Sequence, residues 1–160
     1  MDYENLLKSG ALKPFKTAPS QVKSRLDLAR RDIRAAQAMM AADRDWAFSM
    51  AYNAILQATR ALMFARGFRP AAGEGQHKVA VQFAEITFGE TFQDEIYIFD
   101  KMRSKRHRVI YDVSGLVSLE EARQAVTFAI KFVKVVEDVV VGQKQEIPQE
   151  PLPERVGYQF

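Results

Sequence analysis

The segment from about Asp45 to Arg66 constrains the fold more than any other part of the chain. Its central run, WAFSMAYNAILQATRALMFA, contains no proline or glycine and many alanines, so it reads as one long helix ending at Gly67. The polar residues Ser49, Asn53, Gln57 and Arg60 step by four, four and three along a narrow strip, and the rest of the surface is apolar. A helix of this kind is central and is contacted from several sides. Its alanines let those neighbours approach closely.

The flanking segments carry matching apolar stripes. From Ser20, the residues Val22, Leu26, Ala29, Ile33, Ala36 and Met40 step by fours and threes. Lys23, Asp27, Arg30 and Arg34 form a solvated face, and Ala18-Pro19-Ser20 reads as the helix entry. His77–Phe88 is a shorter helix closed by Gly89. A fourth helix runs over about Thr91–Asp112, with Ile96, Phe99, Met102, Val109 and Ile110 as candidate core residues. A DVSG turn at 112–115 follows. Ser118 and Glu121 have capping-box spacing. Leu119, Ala122, Val126, Ala129, Val133, Val136 and Val140 then continue one stripe. The β-branched VVEDVVV run has local strand preference, but nothing offers it a partner strand. There is no repeat and no βαβ alternation. The expected fold is all-α, an up-and-down antiparallel bundle of four to five helices.

Residues 1–19 read as an N-terminal arm in which Leu6, Leu7, Leu12 and Phe15 can pack, and 20–141 as the helical domain. Residues 142–160, with Pro148, Pro151 and Pro153, read as an extended or disordered tail whose Leu152, Val156, Tyr158 and Phe160 can dock on a partner. Phe68–Gln76, with Pro70, Gly73 and Gly75, reads as a flexible loop. It lacks the Lys-Ser/Thr of a phosphate-binding loop.

At 160 residues the chain is one domain's worth. It contains no cysteine, which excludes disulfides, thiolate zinc sites, iron–sulfur clusters and Cys nucleophiles. No apolar run approaches the ~20 residues that span a bilayer. The start, MDYENLLKSG, has acids where a signal peptide needs basic residues, so a soluble, cytoplasmic protein without membrane association is expected. The net charge of +3 is too small to imply nucleic-acid binding, so the placement of the charges matters more.

That placement is uneven. In KMRSKRHRVIYD, residues 101–112, the basic groups Lys101, Arg103, Lys105, Arg106 and Arg108 crowd about two helical turns. They repel one another unless acids of another helix or an anionic ligand offset them. His77 and His107 are the only histidines. Without a carboxylate cluster at ligand spacing they make a poor metal site, so neither a metal nor a cofactor is expected. His77, at a helix start, reads as a capping or hydrogen-bonding residue. No G-x-S-x-G elbow supports a serine hydrolase, and no carboxylate pair supports a glycosidase.

From about Pro19 to Val141 the chain resembles the HEPN family (higher eukaryote and prokaryote nucleotide-binding). The resemblance rests on the amphipathic first helix, the AYNAILQATRALMFARGFRP segment and the Gly-rich loop leading to His77. It rests also on a late Arg-x-x-Arg-polar motif before Tyr-Asp: Arg103, Arg106, His107, Tyr111 and Asp112. More narrowly, the chain looks like uncharacterised members that begin with a short LLKSG-L-P arm. The resemblance implies a helical bundle that dimerises, and a toxin of a toxin–antitoxin or antiphage system that cleaves RNA without metal. The family signature is Arg, a polar residue, then a final His. Arg106 and His107 match its first two positions, and Tyr111 stands at the third. Catalysis would then fall to Arg106, His107 and Tyr111, and RNA or nucleotide binding to Lys101, Arg103, Lys105, Arg106 and Arg108. Tyr111 in place of His implies weak or absent cleavage. Arg106 and Tyr111 are roughly 140° apart around a helix, so a homodimer would be needed to converge them. The competing expectation is a non-catalytic interaction module that grips a partner such as a nucleotidyltransferase-type antitoxin.

Overall fold

A computed structural model describes residues 2–112 and 114–141. The elements run α1 (Tyr3–Lys8), β1 (Leu12–Pro14), α2 (Pro19–Met39), α3 (Arg44–Ala65), β2 (Phe68–Pro70), α4 (Gln76–Phe88), a 3₁₀ turn (Glu90–Phe92), α5 (Gln93–Tyr111) and α6 (Leu119–Val141). The architecture is an all-α bundle carrying one small two-stranded sheet. The expected Pro-rich tail, 142–160, lies outside the described residues.

Helix α3 is the axle of the bundle. It packs against α2, α4, α5 and α6. Phe48, Tyr52, Ile55, Ala58, Leu62 and Met63 are all fully buried. Helix α2 starts with Pro19 at its first position, where the missing N–H is no loss, and the Gln21 side chain accepts from the Ala18 N–H at 2.8 Å. Its Leu26, Ala29 and Ala36 face the core. Ser118 and Glu121 make the reciprocal capping box that opens α6: the Glu121 N–H donates to Ser118 Oγ at 3.1 Å, and the Ser118 N–H donates to Glu121 Oε1 at 3.2 Å. The VVEDVVV run is helical, and Val133, Val136 and Val139 are buried. Core packing overrides strand propensity there.

Two expectations are corrected. Residues 68–70, read as flexible loop, pair antiparallel with 12–14 of the arm, in the register Leu12↔Pro70 and Pro14↔Phe68. Gly67, at φ 84°, makes the αL turn out of α3 that brings β2 back alongside the arm. The arm packs as its apolar residues suggest, and part of it is helical. Leu6 and Leu12 are buried, and Tyr3 stacks on Phe83 at 4.9 Å and hydrogen-bonds Thr87 Oγ1 at 2.5 Å. Ile110, a core candidate, is exposed, while Val109 beside it packs against the core.

One carboxylate ties the ends of the bundle together. Asp45, in the first turn of α3, accepts from the Gly115 and Val117 N–H groups at 2.7 and 3.2 Å, which fixes the approach to α6.

The burial of α3 predicts the effect of a charge placed on it. Ala58 has no exposed surface. Ala58→Asp should lose several kcal/mol from a total of about 5–15 and leave the chain largely unfolded. Circular dichroism and urea denaturation measure this directly. A folded, cooperatively melting Ala58→Asp protein would contradict the assignment of α3 as the core.

Candidate phosphate-binding site

The buried face of α5 runs through Glu95, Phe99 and Met102, stepping by four and three. The next step of four lands on Arg106. A guanidinium thus stands where the stripe calls for an apolar side chain. Arg106 lies over the ring of Tyr52, with Cζ 5.5 Å from the ring centroid, and its Nε is buried without a hydrogen-bond partner among the described residues. The contact with the ring face offsets part of the desolvation of the cation. The vacant N–H still asks for an acceptor.

Tyr52 is the fully buried tyrosine at the middle of α3. Its hydroxyl lies 2.9 Å from Nδ1 of His77, in the first turn of α4, and the two rings stack with centroids 5.6 Å apart. A buried O–H requires an acceptor, and Nδ1 is the one at hand. This places the imidazole proton on Nε2. Helix α4 starts after Gly75, at φ 87°, which offers no side-chain cap, so the positive end of the helix adds to the local potential. Arg60, two turns beyond Tyr52 on α3, reaches the Gln76 side chain at 3.4 Å. Arg103 donates from Nε to Asp100 at 2.8 Å.

These charges act on one another. Burial, aided by Arg106, Arg60 and Arg103, holds the His77 pKa down at about 4. Burial also drives the Tyr52 hydroxyl well above the usual tyrosine range, although Arg106, Arg103 and Arg60 pull it the other way. Arg60 is lowered, first by burial and then by Arg25. At neutral pH the cluster therefore holds a neutral imidazole, a neutral phenol and three guanidinium groups, with Asp100 at its edge.

The residues singled out in the sequence fall into separate groups. Arg103 and Arg106 come together at Tyr52 and His77. Lys105 leaves them and pairs with Glu121 of α6. Lys101 lies over the exposed ring of Tyr97, 5.4 Å from its centroid, and Arg108 is exposed. His107 and Tyr111 sit side by side on the exposed face of α5, with ring centroids 4.8 Å apart. Within one chain they do not join the Arg106 cluster. Sequence reasoning did not assign Tyr52, His77 or Arg60 to a site. The available signal was a phenol and an arginine inside an otherwise apolar helix, because each needs an internal polar partner.

A family model for the HEPN domain matches residues 22–139. The chain belongs to the HEPN family. The matched span contains Tyr52, Arg60, His77, Arg103 and Arg106, so the whole cluster belongs to the HEPN domain. Helix α1 and strand β1 precede that span and are held to it through β2. No curated protein matches the chain at a significant level. Among the described residues no helix is long and apolar enough to cross a membrane, and no group of three or more His, Cys, Asp or Glu side chains is placed to hold a metal ion.

The depressed His77 pKa has a measurable consequence. The unfolded chain takes up this proton near 6.5, the folded chain only near 4. Between these values the unfolded state binds more protons, so the His77 contribution is complete above about pH 6.5 and is lost as pH falls toward 4. For a partly buried ring, solvent screening limits the loss to about 1–2 kcal/mol. His77→Gln, whose amide oxygen can still accept from Tyr52, should show a shallower fall in urea stability between pH 7 and pH 4.5 than the parent protein. An NMR titration of His77 with its midpoint near 6.5 would rule this out.

Proposed function

We propose that this HEPN protein binds the phosphate of RNA or of a nucleotide at the Tyr52–His77–Arg103–Arg106 cluster. The observation that carries the reading is Arg106: a guanidinium on the core stripe of α5, with a buried Nε–H that has no protein acceptor among the described residues. Such a group is destabilising in the empty protein and is relieved by an anion. In cellular terms we assign the protein to the toxin side of a cytoplasmic toxin–antitoxin or defence pair.

The same geometry supports weak or absent ribonuclease activity. Cleavage without metal needs a base for the 2′-hydroxyl, an acid for the leaving oxygen and a cation for the phosphorane. The arginines supply the cation. His77, with its pKa at about 4, is a weak base at neutral pH, and Tyr52 holds its proton tightly. His107 and Tyr111 lie on a different side of α5 from Arg106, so their use in catalysis requires a homodimer in which two α5 helices face each other.

A second reading rests on that exposed side. Tyr97 and Tyr111 are 61% and 69% exposed, and Ile110 is 37% exposed. Large apolar and aromatic groups set along one exposed helix favour a protein partner, such as a second copy of the chain or a nucleotidyltransferase-type antitoxin.

Fluorescence anisotropy of a 5′-phosphorylated oligoribonucleotide tests the first reading. Affinity should fall steeply with salt, and Arg103→Ala and Arg106→Ala should each reduce the log–log slope by about one. Unchanged binding by the double variant would discard the site. Incubation of the same RNA with pure protein should leave it largely intact, and robust cleavage abolished by His107→Ala would reverse the catalytic half of the proposal.

A further inference from the structure

The charge count around Tyr52 and His77 narrows the class of phosphate, provided the reading above holds. Arg60 from α3 and Arg103 and Arg106 from α5 contribute three positive charges, and Asp100 contributes one negative charge. Three minus one leaves two. Arg25 of α2 lies beyond, acting on Arg60 and bonded to Gln57 at 3.0 Å. The groups facing His77 from α3 and α5 are Tyr52, Arg60, Arg103 and Arg106, and Gln76 adjoins it on α4.

An internal phosphodiester brings one negative charge and two esterified oxygens. A terminal phosphate brings two charges and three free oxygens. The unpartnered Arg106 Nε–H, the His77 Nε2–H, the uncapped start of α4 and the outer guanidinium nitrogens are all donors, and none is an acceptor. A set in which the one carboxylate, Asp100, is already bound to Arg103 and the free groups are donors, with two charges in excess, matches an ion that only accepts and carries two charges. A diester leaves one positive charge uncompensated and offers fewer oxygens to these donors. We propose that the ligand of this cluster is a phosphate monoester dianion, the terminal phosphate of a nucleotide or of an RNA end, in preference to the internal phosphodiesters of an RNA chain.

The experiment compares four probes with the full-length protein at pH 7.5 and fixed salt. They are one oligoribonucleotide with a 5′-phosphate, the same oligomer with a 5′-hydroxyl, the same oligomer with a 3′-phosphate, and adenosine 5′-monophosphate. A terminal phosphate should improve affinity by about tenfold or more, equivalent to about 1.4 kcal/mol. The preference should shrink at pH 5, where a monoester with a second pKa near 6 carries about one charge. It should also vanish in Arg106→Ala, and in Arg103→Ala, whose partly exposed side chain can be removed without opening the core. Tight binding of adenosine 5′-monophosphate alone would mark a nucleotide site, and tighter binding of the phosphorylated oligomers would mark an RNA-end site. Either result supports the proposal. Equal affinity for 5′-phosphate and 5′-hydroxyl oligomers, lost in the arginine variants, would overturn the monoester preference and leave phosphate binding at the cluster intact. Binding of every probe that is untouched by both variants would overturn the cluster as a site altogether.

Discussion

Most of α3 is buried, so nearly every polar group along its packed face finds its partner in the protein instead of in water. Gln57 accepts from Arg25 of α2, Thr59 donates back to the Ile55 carbonyl, and Arg60 meets Gln76 at the start of α4. Tyr52 does the same with His77. These contacts set how α2 and α4 lie along α3, because apolar packing alone tolerates sliding and a hydrogen bond between fixed atoms does not. The polar cluster follows from the same constraint that builds the core.

Arg106 is the point where stability and function part. An apolar residue there would complete the stripe of Phe99 and Met102 and pack against Tyr52 without a charge to desolvate. The guanidinium instead adds to burial in keeping His77 neutral, together with Arg60 and Arg103. Elsewhere on α5 the basic residues are tied up or turned away: Lys105 pairs with Glu121, and Lys101 lies over the exposed Tyr97 ring, while Arg103 stays with the cluster although it also pairs with Asp100. Charge density in the sequence therefore overstates the site, and the direction each side chain takes around the helix selects from it.

The helices were legible in the sequence because each leaves a repeated signal. The Ala122–Val136 stripe, the Ser118/Glu121 cap and the all-round apolarity of α3 all sum over many residues. The β1–β2 pair was not legible, since three residues on each side carry no periodicity and their pairing depends on how Gly67 turns the chain. Ile110 was misjudged because two adjacent apolar residues do not say which of them faces the core, and it is Val109 that does. As for the site, Arg103 and Arg106 could be read from the local charge. Tyr52 and His77 could not, because a single hydrogen bond across 25 positions of the chain has no local trace. His107 and Tyr111 drew attention as neighbours of Arg106 in sequence, yet one residue along a helix is about 100° around it.

The cluster is drawn from the middle of α3, the first turn of α4 and the second half of α5, while α2 and α3 form an extensive hairpin of their own. Detachment of α5 removes two of the three guanidinium groups and uncovers Tyr52, yet the contacts among α2, α3 and α6 do not involve α5. Slow amide exchange in α2 and α3 can therefore coexist with a site that is transiently dismantled, and a phosphate held between α3 and α5 would act as a strap that slows exchange in α5 first. The order in which the helices leave the ribosome has the same effect: α3 is complete well before α5, so a growing chain has a core to fold around long before it has anything with which to seize an anion.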